Sequence, residues 1–132
     1  MLHQCMAGPV RILVVDDYPD TAESLAVVLE MQGYEARALT DPREAIDVAR
    51  KFRPVVACLD IGMPDLDGFQ LARLFRSDPE LRSVCLIAIS AWDDEITRRR
   101  TVECGFQAHA LKPVKFEALS DLIARCLERA AA

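Results

Sequence analysis

No apolar run in this sequence approaches the roughly 18 consecutive residues that a membrane-crossing helix needs, so no span is expected. Met1 to Pro9 lacks the basic start and apolar block of a secretory leader. Basic residues are in the minority. Against 21 Asp and Glu stand 16 Lys and Arg, a formal net charge of −5. A direct nucleic-acid partner, which wants a basic face, is therefore not expected. The five cysteines (Cys5, Cys58, Cys85, Cys104 and Cys126) contain no CxxC pair and have no histidine nearby at ligand spacing, which excludes a cysteine metal site. Their odd number, scattered through apolar segments, reads as reduced thiols filling small core positions in the cytoplasm. No glycine-rich loop follows any apolar run, which removes the phosphate cradle of a nucleotide-binding fold.

What is present fits one domain. The 132 residues are 52% hydrophobic and 28% charged, enough for a single core. Residues 10–129 carry the pattern. Residues 1–9 read as a short extension and 130–132 as a tail, so no output domain is expected within these 132 residues. Val55 to Leu59 is an unbroken apolar run that ends in Asp60, between Pro54 and Pro64. Such a run reads as a strand buried on both faces. Val10 to Val15 and Val84 to Ile89 read the same way. Tyr34 to Leu39 alternates charged and small residues and reads as an edge strand, and Ala108 to Leu111 is a short fifth strand. Helices alternate with these strands. The first starts at Pro19, with Asp20 or Thr21 as cap, buries Ala22, Leu25, Ala26 and Leu29, and ends at Gly33. The second, opened by Asp41-Pro42, buries Ala45, Val48, Ala49 and Phe52. The third, Gly68 to Ser77, buries Leu71, Ala72 and Phe75. The fourth, Trp92 to Cys104, has Ile96 and Val102 as almost its only apolar residues. The fifth, Lys115 to about Arg129, buries Phe116, Leu119, Leu122, Ile123, Cys126 and Leu127. Strand and helix repeated five times predict a flavodoxin-like (βα)5 doubly wound parallel sheet, strand order 2-1-3-4-5.

Four of the five strands end in a functional group: Asp16-Asp17, Asp60, Ser90 and Lys112. In a parallel sheet all these ends lie at one edge, so three carboxylates, a hydroxyl and an ammonium should converge. Three clustered carboxylates repel one another unless a cation intervenes, and hard oxygen donors suit Mg²⁺ or a similar ion. A carboxylate beside a divalent cation and a lysine can attack phosphorus and form an aspartyl phosphate. Trp92 reads either as a core anchor or as an exposed interface aromatic. The run Arg98-Arg99-Arg100 turns through too much of a helix to form one basic face and reads as solvated.

From about Val10 to Leu127 the chain resembles the receiver domain of two-component response regulators. The matching residues are Asp16-Asp17, Asp60 with Met63-Pro64 and Asp67-Gly68, Ser90-Ala91, and Lys112-Pro113. The intervals of thirty residues from Asp60 to Ser90 and twenty-two from Ser90 to Lys112 also resemble the family. The wording around Gly62-Met63-Pro64-Asp65 and Gly105 to Val114 is most similar to receivers of hybrid sensor histidine kinases. The resemblance implies that Asp60 accepts phosphate from the phosphohistidine of a histidine kinase or phosphotransfer protein. It implies Mg²⁺ held by Asp17, Asp60 and the Gly62 carbonyl, with Asp16 acting through water, and a cis Lys112–Pro113 bond. It also implies a switch position three residues before the lysine, where this chain has His109 in place of the frequent Tyr or Phe.

Such a domain is a signalling phosphoacceptor rather than an enzyme. It catalyses only its own phosphorylation and dephosphorylation. Ser90 would sense the phosphoryl group, His109 would turn inward, and the surface of the fourth helix, fifth strand and fifth helix would change for a downstream protein target. A phosphatase of the haloacid-dehalogenase type also forms an aspartyl phosphate, but it wants a second Asp two residues after the nucleophile, and Asp16-Asp17-Tyr18-Pro19 lacks one. A receiver-like binding module that acts without phosphorylation would be marked by loss of an acid or of the lysine, and this chain retains both.

Overall fold

The computed structural model describes residues 8–63 and 66–131. Cys5, Pro64, Asp65, most of the 1–9 extension and residue 132 lie outside the described residues. The chain runs through β1 (Arg11–Val15), α1 (Pro19–Met31), β2 (Glu35–Leu39), a short 3-10 turn (Pro42–Glu44) leading into α2 (Ala45–Phe52), and β3 (Val56–Asp60). It continues through α3 (Gly68–Ser77), β4 (Cys85–Ser90), α4 (Glu95–Cys104), β5 (Ala108–Leu111) and α5 (Phe116–Ala131). All neighbouring strands pair in parallel, in the order β2-β1-β3-β4-β5. The predicted architecture and strand order are both found.

Burial follows the apolar runs. Every residue of β3 and β4 is buried, as is β1 after Arg11, whereas β2 is half-exposed along its length. Alternate residues of the central strands feed two separate layers, because successive side chains leave a strand on opposite faces. Leu13, Val15, Leu59 and Leu86 pack with Phe52 of α2, Leu71 and Phe75 of α3 and Cys104 of α4. Ile12, Val14, Val56 and Ile87 pack with Leu29 of α1 and with Leu119 and Ile123 of α5. The chain reverses its direction of travel across the sheet between β1 and β3. That switch point opens a crevice at their C-terminal ends.

Three local expectations are corrected. First, α1 begins at Pro19 with Tyr18 at the capping position, and neither Asp20 nor Thr21 is the cap. Second, α4 begins at Glu95 rather than Trp92, because the Asp94 carboxylate accepts from the Thr97 N–H at 2.7 Å and fixes the start there. Its apolar pair faces outward: Ile96 is 80% and Val102 72% exposed, while Thr101 and Cys104 are the buried positions. Third, the cysteines are not all free thiols. Cys85 of β4 and Cys126 of α5 are joined, with their Cα atoms 5.9 Å apart, and Cys58 and Cys104 are free and buried. The joined pair belongs to the layer that α5 closes over β4, a proximity that 41 residues of sequence separation conceal. Burial in the apolar layer pushes the Cys58 thiol up to about 12 and leaves it unreactive.

Two glycines hold the frame by close approach. A Cβ at Gly68 would stand 2.6 Å from the Asp60 carbonyl oxygen, so α3 can begin against the end of β3 only with glycine there. Asp67, just before it, forms a reciprocal capping box with Gln70. Gly105 ends α4 at a φ of 102°, where a Cβ would meet Arg76 Nε at 2.7 Å.

Candidate functional site

Each residue that the sequence places at a strand end arrives there by strand pairing. Asp16 directly follows β1 and donates its N–H to the Leu39 carbonyl at 3.0 Å. Asp60 is the last residue of β3, and the next residue, Ile61, donates to the Ile89 carbonyl of β4 at 3.0 Å. Lys112 follows β5 and donates its N–H to the Ser90 carbonyl at 2.8 Å, which continues the ladder past the strand's end. The Lys112–Pro113 bond is cis, as the resemblance implied.

The charged ends meet. Lys112 Nζ lies 3.1 Å from Asp60 Oδ2 and 3.6 Å from Asp16 Oδ2. Asp16, Asp17 and Asp60 each offer a carboxylate oxygen, all within 4.8 Å of one another. Asp16 and Asp60 are buried, and Asp17 is exposed. Two backbone donors fix the buried acids. Asp16 Oδ1 accepts from the Tyr18 N–H and Asp60 Oδ1 from the Gly62 N–H, both at 3.0 Å. Each acid therefore keeps its second oxygen turned toward the ammonium.

Electrostatics leave this cluster short of positive charge. Burial raises the Asp16 pKa above the usual carboxylate range. The nearby Asp60 charge raises it further, against the Tyr18 N–H and Lys112, which pull it down. Burial also penalises the Lys112 ammonium, but its hydrogen bonds and attraction to Asp60 and Asp16 together outweigh that and hold its pKa above the ordinary lysine value. One lysine thus serves two buried acids, with a third beside them. An all-oxygen donor set with one open, exposed member fits a hard divalent cation such as Mg²⁺ that keeps several waters. The chemistry available at this edge is nucleophilic attack by a carboxylate whose neighbours neutralise an incoming anion.

Ser90 ends β4 but does not turn its hydroxyl to the acids. Its Oγ accepts from the Trp92 N–H at 2.9 Å and donates to the Trp92 carbonyl at 3.2 Å. His109 sits in β5 beside Ala88 and lines a different cavity, about 460 Å³, between α4 and β5. Its Nε2 is buried without a hydrogen-bond partner, and burial lowers the pKa of its ring. The Trp92 ring lies beside Gly62, where an added Cβ would stand 3.4 Å from Cζ3, a proximity that sequence patterning does not reveal. Its only signal is a large aromatic placed two residues after a strand-end serine.

The family model described as response regulator receiver domain matches residues 12–124. Response regulator MprA of Mycolicibacterium vanbaalenii is 37% identical over 117 residues, covering 89% of this chain and 48% of MprA. The signal receiver domain of a signal transduction histidine kinase from Syntrophus aciditrophicus has a TM-score of 0.81 at 33% identity, covering 90% of each chain. The chemotaxis protein CheY4 of Vibrio cholerae has a TM-score of 0.86 and covers 90% of this chain and 99% of its own. At 24% identity CheY4 speaks for the fold alone. This chain spans half or less of the length of several curated relatives that it matches.

Proposed function

This chain belongs to the response regulator receiver domain family, and on that premise we propose that Asp60 is the phosphoacceptor of a two-component phosphorelay. The observation that carries the reading is the Lys112 ammonium 3.1 Å from Asp60 and 3.6 Å from Asp16, with Asp17 completing an acidic cluster.

A carboxylate oxygen of Asp60 attacks phosphorus on the donor's phosphohistidine. The P–N bond breaks, and the imidazole leaves with its electron pair. Asp17, Asp60 and the Gly62 carbonyl would hold Mg²⁺, with Asp16 bound through water. Once bound, Mg²⁺ supplies positive charge to the equatorial oxygens of the transferring group. Lys112 does the same from its own side, since its ammonium already rests on Asp60. The product carries about −1.5 to −2 additional charges at the end of β3. Ser90 then turns its hydroxyl from the Trp92 backbone to a phosphoryl oxygen, and the loop into α4 moves with it. His109 turns further into the cavity behind α4.

The surface so altered is α4, β5 and α5, where Ile96, Val102 and Leu111 stand exposed. Exposed apolar side chains together with a net charge of −5 favour a downstream protein over nucleic acid as the direct partner of this segment. The donor is a histidine kinase or phosphotransfer protein, and the site of action is the cytoplasm. Likeness to the Syntrophus receiver supports attachment to a hybrid sensor kinase.

Incubation with Mg²⁺ and acetyl phosphate is the test. The wild-type chain should gain a phosphoryl group that survives acid and is released by hydroxylamine, and Asp60→Asn should gain none. An unlabelled wild type, or a label that persists in Asp60→Asn, overturns the reading.

A further inference from the structure

Cys85 opens β4 at the end of the sheet opposite Asp60, and Cys126 lies in the second half of α5. Their Cα atoms are 5.9 Å apart, inside the span of roughly 4.4–6.8 Å that a disulfide bridges without moving the backbone. The two sulfurs can therefore be joined or parted on one fixed frame. Cys85 is 7% exposed and Cys126 3%. Beyond Cys126 the helix runs into exposed Glu128 and Arg129, and helix ends open at little cost, so a small reagent reaches the pair from that end. The other described cysteines do not compete. Cys58 shares the layer, but burial pushes its thiol up to about 12, and Cys104 lies in the opposite layer.

We propose that Cys85 and Cys126 form a reversible redox clasp, closed by a hydroperoxide and opened by a dithiol, that sets how firmly α5 lies on the sheet. Cys85, the more exposed of the two, meets the oxidant as its thiolate. Its sulfur attacks one oxygen of hydrogen peroxide, the O–O bond breaks, and the departing hydroxide takes up the proton that Cys85 gave up. The Cys126 sulfur then attacks the sulfenic acid on Cys85. The S–O bond breaks, and the second hydroxide takes the Cys126 proton. Two thiols are oxidised to one disulfide, and one peroxide is reduced to two waters. A dithiol reverses this by two successive exchanges, which return both thiols and leave the dithiol as a cyclic disulfide. What else holds α5 is apolar packing, by buried Leu119 and Ile123 and half-buried Leu122 and Leu127. The bond adds a covalent tie and closes a ring over 41 residues of sequence, which contains Ser90, α4, His109 and Lys112. In the cytoplasm proposed above most thiols are kept reduced, and a disulfide formed there is usually transient and redox-sensing. That step rests on the proposed function, as does the use of α5 by a downstream partner. The clasp itself does not.

The test treats the folded, reduced chain with one equivalent of hydrogen peroxide, then with dithiothreitol. Of the five thiols, three should remain titratable in denaturant after closure, five less the joined two. The mass should fall by two hydrogens, and peptide mapping should place the bond between Cys85 and Cys126. Dithiothreitol should restore all five thiols without denaturant. Oxidised and reduced wild type differ by this bond alone, so their comparison needs no variant. Closure should raise Tm by roughly 10 °C and slow hydrogen exchange in α5 roughly fivefold or more. Cys85→Ala and Cys126→Ala should exchange in α5 like the reduced chain with or without peroxide, and Cys58→Ala should close like wild type. The clasp is overturned by absence of closure in the folded chain, by a bond that maps to another pair, or by a bond that dithiothreitol opens only after denaturation. Unchanged exchange in α5 on closure overturns it as well. No arm uses phosphorylation, so a chain that closes but does not label with acetyl phosphate overturns the phosphoacceptor reading alone, and a chain that labels but does not close overturns the clasp alone.

Discussion

Asp16 carries a cost that the fold accepts for the sake of the site. It is almost fully buried, and its pKa is raised first by burial and then by Asp60. A carboxyl whose pKa is raised on folding favours the folded state while protonated. That contribution is present below the unfolded value of 3.8 and is lost as the pH rises through the folded value. Without Mg²⁺, Asp16→Asn should therefore raise Tm at neutral pH by a few degrees and flatten the dependence of Tm on pH above 4, as read by thermal melts. His109 titrates in the opposite sense. Burial lowers its pKa from 6.5, so the unfolded chain takes the proton first and stability falls as the pH drops through 6.5 toward the folded value. The groups that act on it are Asp93 and Asp94, which raise its pKa, and Arg98, which lowers it. His109→Phe removes both this slope and a buried nitrogen without a partner, and urea melts should show it more stable by about 1 kcal/mol at pH 6. The acids and Lys112 were legible because each ends an apolar run, and parallel pairing carries such ends to one edge. The place of Trp92 beside Gly62 was not, because it depends on the path of the loop between Ser90 and Asp94, which has no period to read.

Among the elements, α4 was the least legible, and it buries only Thr101 and Cys104. Its two apolar residues among charges left its inward face unread, and a helix that starts after Asp94 turns both Ile96 and Val102 to solvent. What holds α4 is a small set of specific contacts. Thr101 and Cys104 are buried, and the Arg100 guanidinium sits 4.2 Å from the ring centroid of Phe69 in α3. Arg76 of α3 donates to the Gly105 carbonyl through Nε and Nη2, to the Arg82 and Val84 carbonyls through Nη1, and to Gln107 Oε1. Burial lowers the pKa of Arg76, which nonetheless remains a cation. Replacing it with Met leaves several carbonyls without donors. Arg76→Met should cost about 3 kcal/mol in urea unfolding and speed hydrogen exchange across α4 more than across β1, β3 and β4. Exchange in α4 as slow as in those strands in the wild type would contradict the proposal that α4 moves on phosphorylation. The extents of the other helices were legible because their inward residues recur at helical spacing, as in α5 with Leu119, Ile123 and Cys126.

At the scale of the whole molecule, the sheet was legible because three apolar runs must be central and one alternating run must be an edge. What the runs concealed is which residue faces which layer, since a strand buried on both sides has no polar alternation. Hence the meeting of Cys85 and Cys126 in the α5 layer went unseen. The two layers bring β1 and β3 side by side and so hold Asp16 and Asp60 together whether or not a cation is there. A protein folded around repelling acids is stabilised by any ligand that neutralises them in the folded state alone. At about 100 times its dissociation constant, Mg²⁺ should add about 2.7 kcal/mol, or roughly 10 °C in Tm for a domain of this size. Asp60→Asn and Asp17→Asn should each lose most of that increment, because each removes an oxygen donor. Lys112→Met should keep it or enlarge it, because it removes the cation already present on Asp60. Wild type and Asp17→Asn with the same response to Mg²⁺ would show that these acids do not act as one site.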